Sequence, residues 1–157
     1  KNGSIIIPDN LVWDDGSKHS VSKVYKNIII KKIKDLERYT FDSTSVNKII
    51  DSKKEKKLIS KKLCVASIDM ESVAIQRVAI KNNKKFVMIR VIFDDLNLQI
   101  PSIIKNNTNS SGELNIKKVI IGIITQPLTL FRIIKLSIFY LKASKKLKIL
   151  ANKLFIN

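Results

Sequence analysis

Apolar residues recur along this 157-residue chain in two rhythms, and the two alternate. Near the start, "SIIIPDNLVW" holds two short apolar runs, Ile5 to Ile7 and Leu11 to Trp13, separated by Pro8. Such runs read as extended pieces, with the proline at an edge or a break. "DDGS", Asp14 to Ser17, then reads as a turn. From Val21 to Leu36 the rhythm changes: Val21, Val24, Tyr25, Ile28, Ile29, Ile33 and Leu36 recur at helical spacing with lysines between them, which predicts a first helix.

"TSVNKIID", Thr44 to Asp51, reads as a short strand. It is followed by Ser52 and, three residues on, Glu55, a capping box that starts a second helix running through Ile59. Leu63 to Ile68 is apolar and short, hence a strand. Met70 to Ile80 has helical spacing, and Asn82-Asn83 can close it. Phe86 to Phe93, "FVMIRVIF", is apolar on both faces except for Arg90, the pattern of a strand in a covered parallel sheet.

After Asp95 comes a polar loop, "NNTNSSGE". Then Ile133, Leu136, Tyr140, Ala143, Leu147, Leu150 and Leu154 recur at spacings of three and four among lysines, predicting one amphipathic helix or two, with Pro127 near the start. Strands alternating with helices argue an α/β fold. No internal repeat or second domain is visible, and a chain of this length buries about 68–70% of the surface its unfolded form exposes.

The charge balance changes the picture less than its size suggests. Lys and Arg number 30 against 13 Asp and Glu, a formal net charge of +17. Only Arg38, Arg77, Arg90 and Arg132 are arginines, and the lysines are spread along the chain. Bidentate recognition of phosphate and bases favours Arg, so nucleic acid is not the favoured partner and the lysines read as solvated faces. Cys64 is the single cysteine; it excludes an internal disulfide or a cysteine metal cluster and fits a reducing, cytoplasmic setting. Its apolar neighbours suggest a packed core thiol. The single histidine, His19, lies in a polar turn and reads as a surface residue, so multi-histidine metal sites are excluded. The longest apolar stretch, Val119 to Phe131, is broken by Gln126 and Pro127 and falls short of the ~20 residues that span a bilayer.

Acids nevertheless stand beside the most apolar segments: Asp69 and Glu71 after one expected strand, Asp94 and Asp95 after another. In open α/β sheets ligands collect at the carboxyl ends of strands. Two neighbouring parallel strands would set these acids along one rim. Asp69 reads as a cap for the helix that follows it; Glu71 and Asp94 are the functional candidates.

Taken together, "IDMESVAIQRVA" and "FVMIRVIFDD" resemble the second half of the nucleoside phosphorylase and nucleosidase superfamily, which includes the methylthioadenosine/S-adenosylhomocysteine nucleosidases. The "DMES" form, the early "IIIPDNLVWDDGSKHSV" and the basic tail after "TQPLTLF" are most similar to the hopanoid-associated phosphorylase branch. The resemblance implies a three-layer α/β/α phosphorylase/hydrolase-like fold, with residues 1–157 as the C-terminal part of one such domain and a basic amphipathic tail at about 128–155. It implies that Glu71 accepts hydrogen bonds from the ribose hydroxyls, that Met70 lies against the sugar, and that Arg90 stands near the nucleophile. Asp94 becomes the general acid that bonds purine N7 as an N-glycosidic bond, with adenine the expected base, breaks.

Two departures qualify this. Phe93 stands where the family has Ser before the catalytic Asp, and it either stacks on purine or marks a decayed site. Gly3, Gly16, Gly112 and Gly122 are scattered, so the family's glycine-rich loop has no match here. The expectation is therefore a C-terminal fragment that is inactive alone, in which hydrolysis and phosphorolysis remain undistinguished. No cofactor or metal is implied; inorganic phosphate would be the co-substrate of a phosphorylase. The expected partner is a purine nucleoside, with a homodimer implied by the family. Two rival readings are a degenerate, noncatalytic nucleoside-binding module, and a basic protein whose tail lies on an anionic membrane.

Overall fold

The computed structural model describes residues 1–48, 50, 52–96, 101–108 and 113–156. The expected strand at Thr44 to Asp51 and the polar loop at 106–113 fall partly outside them. The fold is α/β, as expected, and is built on two mixed sheets. In the first, β1 (Ile5–Ile6) lies between β4 (Arg38–Tyr39), to which it is parallel, and β7 (Arg90–Val91), to which it is antiparallel. The second runs β3–β2–β5–β6, formed by Lys18–Ser20, Asn10–Val12, Ser43–Ser45 and Ser67–Asp69. Here β2 and β3 form a hairpin across the Asp14 to Ser17 turn, where Gly16 takes a φ of 83°, while β2, β5 and β6 are parallel. Neither β3 nor β4 was expected; both are short and polar, without the apolar alternation that marks a strand.

Three helices pack around these sheets: α1 (Lys23–Lys32), α2 (Lys53–Leu63) and α3 (Ser72–Lys81). A short α4 (Ser102–Lys105), α5 (Ile116–Thr125) and the 28-residue α6 (Leu128–Phe155) complete the described chain. The tail is thus one helix after Pro127. No helix among the described residues is long and apolar enough to cross a membrane.

Ser52 caps α2 as its sequence suggests, accepting the Glu55 N–H at 3.0 Å. The helix runs past Ile59 to Leu63, because nothing in "SKKL" breaks it. Cys64 then turns into the left-handed region at φ 52°, and the Val65 N–H closes on the Ser60 carbonyl. This corrects two expectations: the strand begins at Ser67, not Leu63, and the Cys64 thiol is exposed rather than packed in the core. His19 is half-buried rather than a plain surface residue, stacked on Trp13 with ring centroids 3.6 Å apart.

The Phe86 to Phe93 segment corrects a further expectation. Only Arg90 and Val91 pair as a strand, and they do so antiparallel to β1, so β7 is not a parallel neighbour of β6. Its apolar faces have a different use. Val87, Ile89 and Val91 pack on a core of Ile5, Ile7, Ile33 and Leu150, whereas Phe86 joins Met88 in a second core with Leu11 and Val73. Alternate side chains of an extended segment point to opposite sides, and this one separates two cores. Full burial of an Ile or Leu here contributes about 1.5–3 kcal/mol each.

Candidate active site

The ends of β6 and β7 meet although they belong to different sheets, and one residue joins them. Asp69, the last residue of β6, is buried at 7% exposure. Its Oδ1 accepts the backbone N–H groups of Glu71 at 3.1 Å and Ser72 at 3.0 Å, as well as the Ser45 hydroxyl. The first turn of α3 is thereby capped, as its sequence suggests. Arg90 of β7 places Nη2 2.9 Å from Asp69 Oδ2 and donates from Nη1 to the Ile68 carbonyl at 3.1 Å. Arg90 is therefore a strand arginine paired with a buried acid, whatever else it does.

Around this joint lies a cleft of about 680 Å³. Met70, Arg90, Phe93 and Asp94 all line it, together with Asp69 and Asp95. Glu71 does not; its side chain is exposed, with Oε2 3.9 Å from Arg90 Nη2. Asp94 forms an ion pair through Oδ2 with Lys56, whose side chain is largely buried in the cleft wall. Phe93 packs edge-on against Tyr140 of α6, 6.2 Å between centroids, and its carbonyl accepts the side-chain amide of Asn2. Phe93 is thus engaged by α6 and by Asn2 while it also lines the cleft.

Lys56, Tyr39 and Phe41 also line the cleft and were not among the sequence candidates. Lys56 sits in a run of lysines on α2, where nothing distinguishes the one that turns inward. Tyr39 at the end of β4 and Phe41 just beyond it stack at 5.9 Å between centroids on the cleft wall, and an extended "YTF" could have signalled two aromatics on one face. The Tyr39 hydroxyl donates to Glu37 at 2.6 Å, which pushes the phenol above its ordinary pKa. The cleft thus offers apolar and aromatic walls, the carboxylates of Asp69, Asp94 and Asp95, and the cations Lys48, Lys56 and Arg90, each already paired. Such a mixture suits a flat, partly polar organic molecule. Among the described residues no group of three His, Cys, Asp or Glu could hold a metal ion.

This architecture is similar to the fold of solved nucleosidases, over part of their length. A 5′-methylthioadenosine/S-adenosylhomocysteine nucleosidase from Campylobacter jejuni superposes with a TM-score of 0.58 at 11% identity, covering 64% of this chain and 52% of that one. A futalosine hydrolase mutant from Helicobacter pylori gives 0.56 at 13% identity, with 61% and 50% covered. A putative nucleosidase of the first type from Borrelia burgdorferi, solved bound to adenine, gives 0.54 at 21% identity, with 78% and 62% covered. At these identities the likeness is one of fold, and the chain spans about half the length of the first two. No protein-family model matches the sequence, and no curated protein matches it.

Proposed function

We propose that the cleft binds a purine nucleoside and serves cleavage of its N-glycosidic bond. The observation that carries this reading is the convergence of Met70, Arg90, Phe93 and Asp94 on one cleft, in a fold similar to nucleosidases. Residues 1–157 would form part of a single nucleoside phosphorylase-like domain. Asp94 would bond purine N7 and relieve the charge that builds on the departing base, an effect of typically 10²–10⁴-fold. Met70 would lie under the sugar. Glu71, now turned outward, would swing to the ribose hydroxyls, which suit an acceptor with two oxygens. Adenine is the proposed base, supported by the adenine-bound relative. The hopanoid-associated branch, suggested by "DMES" and the basic tail, belongs to the same proposal.

A second reading has its own support. Asp94 is ion-paired to Lys56 and Arg90 to Asp69, so two of the expected working groups are engaged by the protein itself. A noncatalytic nucleoside-binding module would keep them so.

The test is adenine release from methylthioadenosine and adenosylhomocysteine, with and without phosphate, by the full-length protein that carries this domain and by its Asp94→Asn variant. Release that needs phosphate identifies a phosphorylase, and release without it a hydrolase; either should drop at least about a hundredfold in the variant. Adenosine binding without release from any substrate would favour the module, and absence of both binding and release would sink the proposal.

A further inference from the structure

From residue 116 to the end the chain has nine Lys and Arg and no Asp or Glu. The expected apolar stripe of α6 packs inward only in part: Ala143 and Leu150 are buried and Leu154 joins the first core, yet Tyr140 and Leu147 face out. A second stripe, unforeseen, runs along the opposite side. Phe131, Ile134, Ile138 and Leu141 follow one another at spacings of three and four and are all exposed, Phe131 at 71% and Leu141 at 65%. The turn between α5 and α6 adds Ile124 and Leu128, each at least three-quarters exposed. Lys135, Lys142 and Lys145 stand four residues beyond Phe131, Ile138 and Leu141, so each flanks the stripe one helical turn on. Among the described residues none of these three lysines forms an ion pair.

We propose that this outward face of the α5–α6 hairpin docks on an anionic lipid surface. Apolar side chains exposed along one helix face, rimmed by uncompensated lysines, match a bilayer interface: the apolar groups enter the acyl boundary while the lysine stems reach back to the headgroups. The charge pattern selects this occupant over others. A second copy meeting the face about a two-fold axis would bring the same cationic patch against itself. Nucleic acid would satisfy the charge, but its interfaces are polar and would leave Phe131, Ile134 and Ile138 without a partner.

The experiment is co-sedimentation of the full chain with phosphatidylcholine vesicles, with and without phosphatidylglycerol, at low and high salt. Binding should require phosphatidylglycerol and weaken with salt. Phe131→Ser combined with Ile134→Ser and Ile138→Ser should lower partitioning by about tenfold or more, and so should Lys135→Gln combined with Lys142→Gln and Lys145→Gln. All six side chains lie outside the buried cores, and an unchanged circular dichroism spectrum confirms that each variant folds. Equal binding to neutral vesicles, or indifference to both variants, overturns the proposal. So does a wild-type dimer in solution that the serine variant converts to monomer, since a second copy would then cover the face.

Discussion

Arg90 of β7 lies 2.9 Å from Asp69 of β6, and this ion pair joins two sheets that share no strand. It also orders the cleft. Asp69 holds the start of α3 through two backbone N–H groups, Arg90 holds Asp69, Met70 follows directly on β6, and Asp94 stands a short step beyond the end of β7. Asp69→Asn should therefore cost about 3 kcal/mol in urea unfolding, because Arg90 loses its buried counter-charge. Arg90→Lys should cost about 1 kcal/mol, the lysine keeping a charge near Asp69 but losing the bond to the Ile68 carbonyl.

Asp42 should make stability depend on acid. Burial raises its pKa, but the Lys18 ammonium and the Asn10 donors outweigh that and hold the carboxyl below its ordinary value of 3.8. A group depressed in the folded state contributes fully above its unfolded pKa, and its contribution is lost as pH falls through the folded value. Thermal unfolding followed from pH 6 to pH 2 should show a steeper acid loss in the wild type than in Asp42→Asn. Parallel curves would remove Asp42 from the account.

Gly122 lets α5 approach α4. A Cβ built there would sit 1.5 Å from Ile103 Cδ1 and 2.8 Å from Cγ1. Gly122→Ala gains about 1 kcal/mol of helix propensity, but overpacking costs about 1–3 kcal/mol. Net destabilisation is expected, with rescue by Ile103→Ala in a double-mutant cycle. Additive effects would mean that the two side chains do not meet.

Cys64 should react with Ellman's reagent in the native protein at a rate close to that of the unfolded chain, because its thiol is exposed beyond the end of α2. Labelling that waits for denaturant would restore the buried thiol expected from "LCVAS".

The cleft residues should bear unequally on ligand binding. Asp94→Asn and Phe41→Ala should each weaken adenine binding in calorimetry by about tenfold, whereas Glu71→Gln, outside the lining, should leave free adenine unaffected and weaken only ribose-bearing ligands. Equal losses with both ligands in Glu71→Gln would contradict its proposed place at the sugar.

Local signals in the sequence carried much of the fold. The Ser52 capping box, the Asp14 to Ser17 turn, the Asn82 closure of α3 and the Asp69 cap are each set by residues within a few positions of one another, where side-chain chemistry acts directly on the backbone. Long helices were visible for the same reason, since periodicity accumulates over many residues. The site was legible as strand-end positions, although the supposed parallel neighbours proved to be strands of different sheets. Lys56 was not legible, because lysines along one helix look alike until a cleft selects one.

The sequence by itself therefore determined helices α1, α2, α3 and α6, which extended segment packs on both faces, and where carboxylates stand relative to them; periodicity and capping are local properties. Only the tertiary structure decided that "FVMIRVIF" runs antiparallel to β1 between two cores, that Arg90 answers Asp69, and that α6 keeps Phe131, Ile134 and Ile138 outside. Those outcomes depend on pairings between residues far apart in the chain, and an apolar stripe does not state which surface will cover it.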